Sequence, residues 1–230
     1  MEMEAVIEKQ EKNMDLNRYI RLVAGSKGIG YSPLYDLISA GNIKIPSSTG
    51  IFNMGSAHDC PSKKLGLCQA VDMNGRSVCY AMKAERSFHP ETLPFRRRQE
   101  KYWKKISAEQ FVVDFLSMNA LKVDPFTALR FNESGDFWSQ ECVDKAESIA
   151  RMLKYYGVKV YCYTARKDLD FSKCRNIIIH GSNFMSDGLR GIFKMVYSLK
   201  DRPAGFGVCG MSCKVCQRCL IGRKTVVVKH

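Results

Sequence analysis

The sequence predicts an α/β protein with a largely parallel sheet, either open or curled into a partial β/α barrel. In the second half of the chain, apolar strand-like runs alternate with amphipathic helix-like segments. This alternation implies right-handed crossovers between parallel strands. A cysteine-rich loop and a cysteine-rich carboxyl-terminal run are added to this pattern. We expect an N-terminal helical segment at 1–45 and a single α/β domain at 46–230.

The first half of the chain has weaker signals. The first twenty residues are typical of a charged helix, and Ser32-Pro33 begins a short helix that Gly41 ends. A strand at 51–54 leads into the cysteine-rich loop, which contains a turn at 74–75. A long helix is predicted over 96–119. Its buried side would carry Trp103, Ile106, Phe111, Phe115 and Met118.

The second half of the chain is more regular. Strands are predicted at "FTALRFNES", "VKVYCYTAR" and "RNIIIHGS", with a helix at "DFWSQECVDKAESIARMLKYYG" between the first two. A further helix is predicted at "DGLRGIFKMVYSL", then a short strand at "GFGVCG" and a last one at "KTVVVK". The carboxyl ends of parallel strands meet at one edge of a sheet, where sites form. We therefore expect the residues after these strands to share one mouth.

Three polar residues at this mouth are candidates for catalysis or substrate positioning. Glu133 and Asp136 follow one strand, and Arg166 follows the next. Carboxylates in such a place act as general acids or bases, and an arginine binds phosphate or carboxylate groups. Two structural alternatives stay open: Asp136 caps the following helix, and Asp168 merely holds Arg166 in place.

The segment "VCGMSCKVCQRCL" contains four of the ten cysteines of the chain. Their spacing is C-x3-C-x2-C-x2-C, and gaps of two residues allow consecutive thiolates to bind one centre. Three consecutive short gaps resemble ferredoxin ligand runs more than the separated pairs of a zinc ribbon. We expect metal ligation by Cys209, Cys213, Cys216 and Cys219.

A second group of cysteines, Cys60, Cys68 and Cys79, lies in an irregular loop that metal ligation would order. The loop and the terminal run would then meet around one inorganic centre. An iron–sulfur cluster of the 4Fe–4S type is preferred, and zinc is the alternative. Cys142 and Cys162 are expected to be core residues, as is His180, whereas His58 is expected at the surface.

The formal net charge is +13, which favours an anionic partner such as nucleic acid. A solvated face is the structural alternative for the basic part of the long helix. No apolar run is long enough for a membrane span and no signal peptide is recognisable, so we expect a cytoplasmic protein and no membrane partner. The predicted nucleic-acid surface comprises Arg96, Arg97, Arg98, Lys101, Lys104 and Lys105.

Several blocks together resemble the bacteriophage family called gene product 88. They are "MGSAHDCPSKKLGLCQ", "VCYAMKAER", "RFNESGDFWSQ", "YTARKDLDF" and the closing cysteine run, over about 50–220. The resemblance implies a viral protein acting in an infected host cell, and it implies no activity. The "CYA" block is also similar to phage proteins of suspected radical-enzyme ancestry, which favours iron–sulfur over zinc. Ser212 stands where the resemblance implies an acidic residue.

The sequence therefore predicts a phage-type iron–sulfur protein. If it is an enzyme, we expect redox or radical chemistry on a nucleotide or nucleic acid. Two other classes stay open: a zinc-stabilised, non-catalytic nucleic-acid-binding protein, and a host-takeover scaffold whose partner is a protein.

Overall fold

The computed structural model describes residues 32–68, 78–87, 90–210 and 212–228. The predicted charged helix of the first twenty residues and the predicted turn at 74–75 lie outside these residues. The described residues form an eight-stranded sheet together with five α-helices and three short 3-10 helices.

The sheet is largely parallel, as predicted. Its strands in chain order are β1 (Ser39–Ala40), β2 (Thr49–Phe52), β3 (Ala128–Phe131), β4 (Lys159–Thr164), β5 (Ile178–Ser182), β6 (Gly191–Val196), β7 (Gly207–Val208) and β8 (Thr225–Val228). Their spatial order is β1-β2-β3-β4-β5-β6-β8-β7. β1 is antiparallel to β2, and all other neighbours are parallel. From β2 to β6, strands that are consecutive in the sequence are also neighbours in the sheet. Each crossover in that part of the sheet therefore moves the chain one strand further in the same direction.

The α-helices are α1 (Pro61–Lys64), α2 (Tyr80–Ser87), α3 (Thr92–Lys105), α4 (Ala108–Ala120) and α5 (Gln140–Lys154). The 3-10 helices span Pro33–Asp36, Leu199–Asp201 and Arg218–Leu220. None of the helices in the described ranges combines the length and the apolar character that a bilayer crossing needs.

Three sequence-based element predictions were wrong in part. The segment predicted as a helix at 187–199 contains strand β6, which pairs with β5 and β8. The long helix predicted over 96–119 is two helices, because the side chain of Ser107 accepts a hydrogen bond from the Gln110 amide and starts α4 anew. The helix after Ser32-Pro33 is a single 3-10 turn, followed by the edge strand β1.

One face of the sheet packs against α3, α4 and α5. Leu129, Phe131 and Cys162 of the strands join helix residues such as Phe111 and Ile149 in one buried cluster. Phe111 is fully buried, and its ring meets those of Phe52, Trp103 and Phe131 at centroid distances of 5.2 to 6.0 Å. Burial of apolar area of this extent is the main source of folding free energy. We call this side the apolar face.

The opposite face carries the residues that alternate with those of the core. Arg130 of β3 is in register with Tyr161 of β4, and Tyr163 is in register with His180 of β5. The 3-10 helix at Arg218–Leu220 contacts β4 and β5 on this side. We call this side the polar face, and we call 209–219 the terminal run.

Candidate functional site

A buried network of hydrogen bonds closes the carboxyl ends of β2 and β3. The carboxylate of Glu85, from α2, accepts hydrogen bonds from the amides of Ala57 and His58, from Arg96 Nη1 at 2.7 Å and from the Ser134 hydroxyl at 3.0 Å. Burial alone would raise the pKa of Glu85, but these donors lower it overall. The carboxylate therefore stays charged and fixes α2 and α3 against the strand ends.

Asp136 is fully enclosed at the same edge. It accepts four hydrogen bonds, from the hydroxyls of Ser62 and Thr164 and from the amides of Ala165 and Phe137. Burial raises its pKa in spite of these donors. Asp136 does not cap the following helix, whose N-cap residue is Ser139. Its contacts join α1 to the end of β4.

The preceding Gly135 is required by this arrangement. Its φ is +73°, and a Cβ atom there would lie 2.6 Å from the carbonyl oxygen of Gly55. The two strand-end loops can approach each other because no side chain intervenes.

The other two predicted catalytic residues also have protein partners. Arg166 pairs with Asp168 at 2.8 Å and donates to the carbonyl oxygens of Phe137 and Trp138, so Asp168 does hold it in place. Glu133 accepts a hydrogen bond from Asn42 at 2.6 Å and lies 3.7 Å from Arg96. The structure therefore places all three at the predicted mouth and ties each into the protein.

The terminal run is anchored to the polar face at several points. The Cys209 amide donates to Val226, and the Cys213 amide donates to Lys44, whose loop joins β1 to β2. His180 Nε2 donates to the carbonyl oxygen of Cys219 at 2.8 Å. These bonds tie Cys209 to β8, Cys213 to the loop between β1 and β2, and Cys219 to β5.

Beneath the terminal run lies a charged and aromatic cluster. The guanidinium group of Arg130 is 5.2 Å from the ring centroid of Tyr163, and its Nη2 lies 3.3 Å from the Tyr80 hydroxyl. The Tyr163 hydroxyl donates to the thiol of Cys219, and its ring stacks on His180 at 5.0 Å. Burial raises the pKa of Tyr161 and Tyr163, so both phenols are neutral near pH 7.

Two arginines, one beneath the terminal run and one within it, have unsatisfied donors. Within the described residues, four buried side-chain polar atoms lack a hydrogen-bond partner, and Nε of Arg130 and Nε of Arg218 are two of them. A buried donor without a partner costs about 1–3 kcal/mol. Arg130 acts on the thiols of Cys213 and Cys219, whereas the guanidinium group of Arg218, a residue of the terminal run, lies against Gly207.

The terminal thiols interact electrostatically with one another. Burial raises the pKa of Cys213, and the neighbouring Cys209 and Cys216 raise it further, whereas Arg130 lowers it. Burial also raises the pKa of Cys219, which Cys213 and Cys209 influence in the same direction. In the part of the chain that the structure describes, no three cysteine, histidine or acidic side chains lie close enough to hold one metal ion.

The loop cysteines form a separate neighbourhood. Cys60 precedes α1, lies near Asp136 and Cys68, and has a pKa raised to about 12, chiefly by burial. Cys79 packs against Ala57, Ala81 and Met82. The loop cysteines Cys60, Cys68 and Cys79, which we call the loop group, approach the polar face through Tyr80. This residue follows Cys79 and contacts Arg130.

The predicted basic surface on α3 is only partly a surface. Arg96 is buried and paired with Glu85, so it does not belong to an external binding face. Arg97 pairs with Asp59, and Lys104 pairs with Glu100 at 2.6 Å. The remaining three, Arg98, Lys101 and Lys105, are exposed and have no carboxylate partner among the described ion pairs.

The remaining individual predictions can be located in the structure. His180 is buried and hydrogen-bonded, and Cys162 belongs to the core, as expected. Cys142 is half-buried and packs against the core, where it accepts a hydrogen bond from Trp103. His58 is exposed, as predicted.

The sequence reasoning missed the polar face. Arg130, Tyr161 and Tyr163 alternate with the apolar residues Leu129, Phe131 and Cys162 along β3 and β4. This alternation is the signal of a strand with two different environments. An arginine between two buried apolar residues could therefore have identified the second face.

Comparison with known proteins gives one match. The family model described as Gene product 88 matches residues 21–202, which is more than half of the chain. Neither a curated protein nor a solved structure matches.

Proposed function

This chain belongs to the gene product 88 family of phage proteins, and from that premise and its polar face we propose that it is an iron–sulfur protein. The cluster would be held by Cys209, Cys213, Cys216 and Cys219 of the terminal run. The spacing C-x3-C-x2-C-x2-C supplies enough thiolates for a 4Fe–4S centre.

The observation that carries the proposal is the unsatisfied donor of Arg130. Its buried Nε has no hydrogen-bond partner among the described residues, and its guanidinium group lies close enough to Cys213 and Cys219 to lower the pKa of both thiols. A thiolate-ligated cluster is anionic, and its sulfur atoms accept hydrogen bonds that tune it. The residues therefore fit such a group in charge and in hydrogen-bonding capacity, because an anion would satisfy the Arg130 donor that the protein leaves unpaired.

Ligation would require the terminal thiols to rotate towards one point. The run can do this without disturbing the sheet, because its anchors to Val226, Lys44 and His180 involve main-chain atoms of the cysteines. Among the described residues, the terminal thiol with a side-chain hydrogen bond to the sheet is that of Cys219, which accepts from Tyr163. A 4Fe–4S cluster takes four protein ligands, so a thiol of the loop group, Cys60, Cys68 and Cys79, would ligate it only in place of one of the terminal thiolates.

A bound cluster would supply one-electron redox chemistry or start a radical reaction. The chain's own contribution beside it would be a partly buried cation, Arg130, with the neutral hydroxyls of Tyr80 and Tyr161 nearby. Such a set binds and orients an anionic group such as a nucleotide phosphate. Glu133, which contacts Asn42 and Arg96, lies next to this set and would position the rest of a substrate.

The test is anaerobic purification followed by measurement of iron, acid-labile sulfide and zinc. The proposal expects brown protein with iron and sulfide in equal amounts, and loss of both in Cys213→Ser and Cys216→Ser. The matched control is Cys142→Ser, since Cys142 lies on α5 outside the run. Colourless protein with stoichiometric zinc would replace the proposal by the zinc-stabilised reading, and metal-free protein would end both.

Nucleic-acid binding is a second candidate function, favoured by the net charge of +13 and by the exposed Arg98, Lys101 and Lys105 on α3. Binding through phosphate contacts weakens steeply with salt. We expect Lys101→Glu combined with Lys105→Glu to weaken DNA or RNA binding and to reduce its salt dependence. Arg97→Glu is a less informative variant, because Arg97 already pairs with Asp59. Binding that is indifferent to salt and to these charges would favour a protein partner instead.

A further inference from the structure

A cavity lies at the opposite edge of the sheet from the carboxyl-end mouth. Its volume is about 320 Å³. It opens where β5 and β6 begin, next to the turn that follows the 3-10 helix at Arg218–Leu220. Its lining residues are Arg175, Asn176, Ile178, Arg190, Ile221 and Gly222. None of the candidate catalytic or metal-binding residues lines it.

Two arginines in this cavity have no acidic partner in the part of the chain that the structure describes. Nη2 of Arg190 donates to the carbonyl oxygen of Arg175 at 3.0 Å. This bond holds the guanidinium group of Arg190 across the cavity. Arg175 makes only a long contact, 3.5 Å, to the neighbouring carbonyl of Cys174. Neither arginine takes part in an ion pair among the described residues, and both are exposed.

The acidic group next to the cavity is already engaged. Glu147 of α5 accepts hydrogen bonds from the amides of Asn176 and Ile177 and from the side chain of Asn176 at 2.6 Å. Its carboxylate therefore fixes the wall of the cavity, and it forms no ion pair with Arg175 or Arg190 among the described residues. The residues that line the cavity include two positively charged side chains and no negatively charged one.

The shape of the cavity is fixed by a glycine. Gly222 has φ +67°, and a Cβ atom there would lie 2.6 Å from the carbonyl oxygen of Arg190. The turn at 221–222 can therefore lie directly against Arg190. The same turn places Ile221, which is 54% exposed, opposite Ile178 as an apolar wall.

We propose that this cavity binds a small organic phosphate, with Arg175 and Arg190 contacting the phosphate group and Ile178 and Ile221 contacting the apolar part. Guanidinium groups match phosphate oxygens in bidentate geometry. A cavity of about 320 Å³ is at the lower end of the range for small-molecule sites, which suits a nucleoside monophosphate. None of the proposed metal ligands lines this site, although Ile221 lies two residues after Cys219.

The experiment is isothermal titration of the purified full-length protein at low ionic strength with adenosine monophosphate, inorganic phosphate and adenosine. The monophosphate is expected to bind most tightly, inorganic phosphate more weakly, and adenosine not measurably. Arg175→Gln should weaken monophosphate binding by about tenfold or more, since it removes a charge-assisted hydrogen bond.

The decisive pair of variants is Ile221→Glu and Val123→Glu. Both add one negative charge at an exposed apolar residue, but Val123, which is 98% exposed, lies outside the cavity. Ile221→Glu should abolish binding of the monophosphate, whereas Val123→Glu should retain it. Equal binding by the two variants, or no binding of either phosphate compound to the wild-type protein, would overturn the assignment.

Discussion

The face of the sheet that packs on the helices carries Leu129, Phe131 and Cys162, whereas the opposite face carries Arg130, Tyr161 and Tyr163, which alternate with them along the same two strands. The first set is enclosed by apolar side chains of α4 and α5. The second set lies under the terminal run, with a cation, two neutral phenols and an unpaired donor.

The apolar face and the polar face differ in their contribution to the free energy of folding. Burial of apolar area on the helix side stabilises the fold directly. Burial of Arg130 costs desolvation energy, and its contacts with Tyr80 and Tyr163 return only part of it. A costly group that folding does not need is typical of a binding surface.

The largest expected effect comes from breaking the apolar face. Phe111→Ala should lower the free energy of unfolding by about 3–5 kcal/mol, because it leaves a cavity among Phe52, Trp103 and Phe131. Urea unfolding followed by circular dichroism measures this change. A loss below about 1 kcal/mol would show that the helix side does not dominate stability.

An intermediate effect is expected at the buried hydrogen-bond network of Glu85, at the carboxyl ends of β2 and β3. Glu85→Gln should cost about 1.5–3 kcal/mol at pH 7, since it removes a charged acceptor of several hydrogen bonds. The pKa of Glu85 is lowered in the folded protein, so its contribution is present above the unfolded pKa of about 4.3 and is lost as the pH falls below it. The free energy of unfolding is measured between about pH 3 and pH 7, at intervals of about one pH unit. It should fall less steeply with decreasing pH in Glu85→Gln than in the wild-type protein.

The control for this network is Glu100→Gln. Glu100 forms an i,i+4 pair with Lys104 on the surface of α3, and pairs of this kind contribute less than about 1 kcal/mol. If Glu85→Gln and Glu100→Gln lower the free energy of unfolding equally, burial does not increase the contribution of the Glu85 network to stability.

The smallest effect on folding is expected at the polar face. Arg130→Met in metal-free protein should change the free energy of unfolding by no more than about 1 kcal/mol, because removal of an incompletely paired buried cation is nearly neutral. Arg96→Met is the matched variant, and it should cost about 3–5 kcal/mol because it leaves Glu85 unpaired. If Arg130→Met is as damaging as Arg96→Met, the polar face is structural.

Much of the fold could be predicted from the sequence because its signals are local. Strands β3, β4 and β5 and helix α5 have the periodicity of their final environment. Strand β6 was mistaken for a helix because Leu189, Ile192 and Val196 also have helical spacing, and the choice depends on pairing with β5 and β8. Sequence spacing cannot show such pairing.

The candidate site was less accessible to prediction. Cysteine spacing indicates a shared centre, but it does not show which face of the sheet the terminal run would cover. The burial of Arg96 depends on Glu85, which lies on a different helix. Basic residues in one predicted helix therefore looked equivalent, although one of them is an internal ion-pair partner and the others face outward or pair at the surface.

The outermost strands of the sheet, β1 and β7, are only two residues long. Each offers an incoming polypeptide almost no ladder of free amide and carbonyl groups, and short edge strands are a known protection against edge-to-edge aggregation. Both edges of the described sheet are therefore poor templates for the pairing of a further strand. Copies of this chain should associate through side-chain surfaces rather than through extension of the sheet.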